Sequence, residues 1–261
     1  KIRHIFFEGG RQIPMTGRQR QALFRYGLEG LLETHHDGKK NGLWRYYQPK
    51  RQEKWLDRTV FRGSLKADDT EGLEDFIGSY GQMTYDDQIG TIGGGNHFLE
   101  VQRIAEIYDG QTANAWNIRK GAVVVMLHAG SLTIGHHSGL LNRRICQDIY
   151  PAGLPHPGNK IYPIPENGAS PDAWKRFWSV SGNAANFGFA NRLFLGFMSQ
   201  DVFTDVLGGC EMELLYDAPH NYIWKKEIAG EVYYIHRKGA CCARGCGEME
   251  GTEFAYYGEP V

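Results

Sequence analysis

The sequence predicts a loop-rich α+β fold, and three observations carry that expectation. Its 34 glycines and 13% aromatic residues are more than a helical bundle uses. The runs 98–104 and 121–128 are short, apolar and alternating or β-branched, as strands are. Residues 17–32 and 173–207 instead repeat apolar side chains at helical spacing. The 261 residues suit one large domain or two small ones, with ample material for a core. With 41% hydrophobic and 23% charged residues, the composition excludes a disordered chain. A net charge of −1 gives no general attraction to nucleic acid or to an anionic membrane, so a polyanionic partner must meet a local patch. No run approaches the ~18 apolar residues of a membrane span, and the start, Lys1-Ile-Arg-His-Ile-Phe-Phe7, does not read as a signal peptide. The five cysteines are odd in number, with Cys241, Cys242 and Cys246 crowded together. They predict a reduced, cytoplasmic chain with free loop thiols.

In chain order, Ile5-Phe6-Phe7 is a short apolar run ended by glycines. Thr16 is a candidate cap for a helix whose apolar positions are 23, 24, 28, 31 and 32. Residues 35–55 are polar and basic with interleaved aromatics, either a solvated loop or a surface that contacts phosphates and stacks bases. Residues 67–80 predict a short helix capped by acids. The run 121–128 predicts a fully buried strand, with His128 at its C-terminal end, where ligands gather in sheet proteins. Leu140, Leu141, Ile145 and Ile149 predict a helix over 136–150. Residues 151–172 hold six of the ten prolines and predict a long irregular loop. Residues 173–207 predict one long helix or two shorter ones, with Trp174, Phe177, Trp178, Phe187, Phe189, Leu193, Phe194 and Phe203 facing a core. A buried helix needs a reason to carry Asn183, Asn186, Asn191 and Arg192. The segments 213–224 and 231–240 predict a β-hairpin, and its end, His236-Arg237-Lys238, either suits a phosphate or guards an edge strand with charge.

Three histidines share one setting. His97 leaves a loop with four glycines in six residues, Gly90-Thr-Ile-Gly-Gly-Gly95. His128 ends the apolar run, and His220 follows Pro219. Each stands where a Gly- or Pro-containing loop meets an apolar strand, and Asn96 and Asn221 flank two of them. Taken alone, each is as well read as a satisfied structural histidine. Together they offer neutral imidazoles that suit manganese, zinc or iron, with amides to orient a ligand. Their separations of 31 and 92 residues follow no general metal-binding spacing, and a structural zinc at the cysteine cluster is not expected.

The motifs Gly90-Thr-Ile-Gly-Gly-Gly-Asn-His-Phe-Leu-Glu100, His128-Ala-Gly-Ser-Leu-Thr-Ile-Gly-His136, Ala190-Asn-Arg192, Pro219-His-Asn-Tyr222 and His236-Arg-Lys-Gly-Ala240 stand in the order found in RtcB-type RNA ligases. The sequence from Gly90 onward resembles that family. The resemblance implies an α+β fold with central β-sheets flanked by helices. It also implies one RtcB-like domain over residues 1–261, lacking N-terminal and C-terminal parts of the family fold. It further implies an enzyme that joins RNA ends carrying a 2′,3′-cyclic phosphate or 3′-phosphate to a 5′-hydroxyl, using GTP and two Mn²⁺ through a histidine–guanylate. By resemblance, His97, His128 and His220 are metal ligands, and Asn96, Phe98, Glu100 and Asn221 lie around the guanylate.

The departures carry expectations of their own. No Asp-x-x-Cys precedes the glycine-rich loop, and nothing matches the family's His-Gly-x-Gly-Arg, whose histidine takes the nucleotide. No catalytic histidine is therefore assigned. The missing motifs are expected in flanking sequence, and the chain as given is expected to be inactive alone. Leu132 stands where the family has an arginine facing a phosphate. The alternative is a non-catalytic paralogue that binds RNA or a protein. A metal-dependent hydrolase using the same histidines is a third reading, weakened because no carboxylate base stands out.

Overall fold

A computed structural model describes residues 12–38, 40–70, 73, 85–168 and 170–245. The short run at 5–7, most of the expected helix at 67–80, and Cys246 lie outside the described residues. Five helices are described: α1 (Gly17–Thr34), α2 (Pro49–Leu56), α3 (Gly110–Ala115), α4 (Leu132–Asp148) and α5 (Pro171–Leu207). Two antiparallel ribbons accompany them: β1 (Phe98–Arg103) with β2 (Val123–His128), and β3 (Asn221–Ile228) with β4 (Glu231–Lys238). The class is α+β. The hydrophobic mass lies along one helix and not between sheets.

That helix is α5, 37 residues long. Phe187, Phe189, Phe194, Leu195 and Phe197 are fully buried on it, so its middle is apolar nearly all round and needs neighbours on every side. Helix α1 packs on it through Phe24 and Phe187, whose rings lie 6.0 Å apart. Thr16 caps α1, accepting from the Gln19 N–H at 3.1 Å, while the Gln19 side chain accepts from the Thr16 N–H at 2.9 Å. Gly27 kinks α1 at φ 59°. A side chain there would place its Cβ 2.1 Å from the Gly63 carbonyl oxygen. The kink interrupts the helical ladder and leaves the Phe24 carbonyl to other donors. Asn183 and Asn186 of α5 both donate to it, at 2.9 and 2.8 Å. Asn186 also accepts from the Leu65 N–H at 2.8 Å. That is the reason a buried helix carries these two amides: they satisfy backbone that would otherwise be buried unpaired.

Much of the segment 35–55 is folded and not a solvated loop, although Lys40, Arg45, Lys50 and Lys54 stay exposed. A 3₁₀ turn at Gly42–Tyr46 and helix α2, with Pro49 in its first turn, bury Trp44 and Trp55. The Trp55 ring stacks on Phe197 at 5.1 Å. The aromatics decide the outcome, because burying one removes far more apolar area than the intervening charges forfeit at the surface.

The first ribbon pairs Phe98 with His128 and Arg103 with Val123. The fully buried strand expected at 121–128 is not found: Val123 is 59%, Met126 47% and, across from them on β1, Val101 47% exposed. Only one strand pairs with β2 among the described residues, and Val123 and Met126, which point to opposite faces, are both exposed, so neither face of the ribbon is fully covered. Helix α4 begins at Leu132, four residues before the predicted start, because Gln88 caps it from afar. The Gln88 side-chain oxygen accepts from the Thr133 N–H at 3.0 Å, and its amide donates to the Thr133 hydroxyl at 2.6 Å. Residues 151–168 form an irregular loop, as expected. The second ribbon is a hairpin turned by Ala229-Gly230, both at positive φ (53° and 82°), the pattern of a tight type I′ turn. Its first strand starts at Asn221 and not at 213, since Pro219 cannot donate to a ladder. No described helix is long and apolar enough to cross a membrane.

Candidate metal centre

Three loops converge beside the middle of α5, and each delivers one histidine. His97 lies between the glycine-rich loop and β1, His128 ends β2, and His220 precedes β3. Pairing of Phe98 with His128 puts the first two at one end of a ribbon. The bond from the Ala240 N–H to the His220 carbonyl, 3.0 Å, holds the third at the end of the other. One nitrogen of each histidine lies within 4.8 Å of the other two. Ring centroids are 4.3 Å apart for His128–His220, 5.6 Å for His97–His220 and 5.8 Å for His97–His128.

The trio fits a divalent transition metal on three grounds. The His220 ring nitrogen Nε2 is buried and meets no protein partner, which is costly unless something accepts its lone pair. The His97 Nδ1 lies 3.0 Å from the Ile92 carbonyl oxygen. Donation there assigns the N–H to Nδ1 and aims the Nε2 lone pair inward, the arrangement metal-bound imidazoles use. Burial, then the neighbouring His128, Arg192 and His97, push the His220 pKa down to about 4. Burial, then His97 and Arg192, lower that of His128. Both imidazoles are thus neutral at pH 7, the form that can bind a metal. Gly130 leaves the trio room. A Cβ there would stand 3.3 Å from His220 Cε1 and 3.8 Å from His97 Nε2.

One turn of α5 holds all three loops. Asn191 is fully buried. Its oxygen accepts from the Gly90 and Thr91 N–H groups at 2.8 and 3.0 Å, and its amide donates to the Thr91 and Gly130 carbonyls at 2.9 and 2.8 Å. It therefore staples the His97 loop to the His128 loop. Arg192, beside it, donates to the Ala129 carbonyl at 3.1 Å and makes two bonds to the Asp217 carboxylate at 2.5 and 3.3 Å. It staples the His128 loop to the segment that leads into His220. That segment is pinned again by the Val60 N–H, which donates to the Asp217 carbonyl at 2.9 Å. Sequence reading singled out Asn191 and Arg192 as residues in need of a reason, but missed Asp217 and Gln88, whose partners are remote in the chain.

The remaining candidates divide. The Asn96 amide lies 3.4 Å from His128 Nε2, and Phe98 stacks on the His128 ring at 5.2 Å. Glu100 is exposed further along β1 and accepts from Gln102 at 2.7 Å. The Asn221 oxygen accepts from the Gly239 N–H at 2.7 Å, closing the hairpin end beside His220. Leu132 opens α4 at φ 48°, with its Cδ2 filling the space where a Cβ on Gly93 would sit. Leu132, His97, Asn221, His236 and Arg237 line one hollow of about 420 Å³. Arg237 also covers the Trp224 ring at 5.4 Å. Cys241 and Cys242 carry no disulfide and are not members of the histidine cluster.

Comparison with known proteins gives the family. Residues 8–261 match the family described as tRNA-splicing ligase RtcB. The tRNA-splicing ligase RtcB of Pyrococcus furiosus is 32% identical over 232 residues, 82% of this chain and 23% of that protein. The RNA-splicing ligase RtcB of Mycobacterium tuberculosis is 36% identical over 180 residues, 67% of this chain and 41% of that protein. For the tRNA-splicing ligase RtcB of Pyrobaculum aerophilum the identity is 32% over 216 residues, 77% and 42% of the two chains. The chain thus spans between about a quarter and two fifths of these relatives. With five ordered motifs, three convergent histidines and a match over nearly its whole length, the chain belongs to the RtcB family.

Proposed function

We propose that this chain supplies the metal-holding part of an RNA ligase of the tRNA-splicing type, joining 2′,3′-cyclic phosphate or 3′-phosphate RNA ends to 5′-hydroxyl ends with GTP and Mn²⁺. The observation that carries the reading is the histidine trio, with its buried and unpartnered His220 Nε2. His97, His128 and His220 would hold manganese, which supplies charge neutralisation at phosphate oxygens during phosphoryl transfer. The chain's own residues do the rest. Ile92 orients His97, Asn96 points an amide donor at the His128 edge, and Phe98 braces the His128 ring. Asn96, Phe98, Glu100 and Asn221 are the proposed contacts of the guanine nucleotide. The reading places the protein in the cytoplasm, where its RNA substrates are.

Mn²⁺ titration followed by electron paramagnetic resonance tests the reading. The 261 residues are expected to bind Mn²⁺, and His220→Ala is expected to weaken binding by at least about tenfold. Labelled GTP with Mn²⁺ is expected to leave no covalent label on this chain. Binding unaffected by His220→Ala would refute the metal assignment, and a covalent label would place the nucleotide-bearing histidine within these residues. Leu132, an apolar residue beside His97, favours a second reading, a non-catalytic RtcB-like paralogue that binds RNA or a protein. Binding of 3′-phosphorylated RNA without Mn²⁺ dependence, unchanged by Leu132→Arg, would favour it.

A further inference from the structure

We propose that the cavity between α4, the loop at 160–166, the first turns of α5 and the β3–β4 hairpin seats a nucleobase of single-stranded RNA, one to a few nucleotides from the end held at the histidines. The inference rests on the RNA-end reading above and adds a subsite to it. The cavity holds about 530 Å³, within the usual range of small-molecule sites and roomy enough for a nucleoside. It meets the histidine-side hollow at Asn142, Ile223 and His236, which line both. A strand leaving the histidines therefore has a continuous path into it.

The walls have the chemistry of a base-stacking site. Trp174, Trp178 and Tyr234 form an aromatic cluster of mutually inclined rings, with centroids 5.4 to 5.9 Å apart. The helical spacing of Trp174 and Trp178 predicted core positions, but both are only half-buried. Flat rings offered to a cavity accept any base, because every base has a π face. Asn142 adds a polar handle. Its amide donates to the Ser181 hydroxyl at 2.9 Å, while its buried side-chain oxygen has no partner and Asn142 stands on the cavity lining. The exposed Arg143 and Lys160 stand on the lining, where the Glu166 carboxylate is paired with Lys225 at 3.0 Å; the two cations supply the local basic rim that a chain of net charge −1 needs to meet a phosphate backbone. Tyr150, His156 and Tyr162 pack ring on ring at 5.3 to 5.7 Å and brace the loop that forms the outer wall.

The test uses the Mn²⁺-loaded chain and a short single-stranded RNA with a 3′-phosphate, carrying 2-aminopurine at each of the last four positions in turn. Binding is expected to quench the fluorophore most at one position. Trp178→Ala is expected to weaken binding about tenfold and abolish that quenching, while Trp178→Phe restores most of both, since either aromatic ring stacks. Arg143→Glu and Lys160→Glu, both exposed and harmless to the core, are expected to weaken binding and flatten its salt dependence. In every variant Mn²⁺ affinity stays unchanged. Two results overturn the proposal: RNA affinity and quenching unaltered in all four variants, or a fully duplex RNA binding as tightly as the single strand. If Mn²⁺ fails to bind the histidines while the RNA still quenches at Trp178, the metal reading falls and the base site stands. If Mn²⁺ binds and the RNA ignores Trp178, the reverse holds.

Discussion

Replacing Asn191 with alanine separates a residue that positions the candidate metal centre from one that merely fills the core. The substitution strips one hydrogen bond from each of four connections: the Gly90 and Thr91 N–H groups and the Thr91 and Gly130 carbonyls. At a net ~0.5–1.5 kcal/mol for each bond, and with single substitutions seldom exceeding ~4 kcal/mol, the loss comes to about 3 kcal/mol. For a chain of this size that lowers the melting temperature by roughly 6–12 °C. The decisive quantity is Mn²⁺ affinity, because the two loops that Asn191 staples carry His97 and His128. Loosening such an outer support is expected to cost about tenfold or more in affinity. Asn183→Ala is the control. It lies on the same helix and is equally buried, but its amide serves the Phe24 and Asp69 carbonyls, away from the histidines. It is expected to lower the melting temperature and leave Mn²⁺ affinity alone. Thermal melts and Mn²⁺ titrations of both variants well below their melting points decide the matter. Equal losses of metal affinity in the two, or none in Asn191→Ala, would refute the positioning role.

Gly130→Ala places a methyl group 3.3 Å from His220 Cε1. It is expected to weaken Mn²⁺ binding by about tenfold with little change in melting temperature, measured by the same titration. At the tip of the second ribbon, Ala229 is held at φ 53°; Ala229→Gly relieves that conformation and is expected to stabilise the fold by up to about 1 kcal/mol in a denaturant titration. Cys146 is 4% exposed and burial raises its thiol pKa, so it presents little thiolate at pH 7. Mass spectrometry after brief alkylation is expected to find Cys210, which is only partly buried, modified well before Cys146.

The histidine positions were legible because each is marked locally, by a glycine run, the end of an apolar strand, or a proline. What was not legible is long-range pairing. The partners of Asn191 lie 61 to 101 residues away, and the cap of α4 lies 45 residues upstream at Gln88. No local pattern announces such bonds, although a fully polar dipeptide in the most apolar helix announced that some existed. Residues 35–55 misled because charge dominates the composition there while two tryptophans dominate the energetics. The run 121–128 misled in the opposite sense. Its composition is that of a strand covered on both faces, yet Val123 on one face and Met126 on the other are both exposed.

The clamp formed by Asn191 and Arg192 also dictates an order of events as the chain is made. His97 and His128 emerge first, followed by a proline-rich loop, and only then the helix turn that joins their loops. Asp217 and His220 follow later still. The β1–β2 pairing brings His97 and His128 to one ribbon end by itself, but until α5 is complete their loops lack the Asn191 staple, and contacts of such long sequence separation form slowly. The three histidines therefore come together only after synthesis has passed His220, so the cluster is a product of the folded chain and not of its early loops.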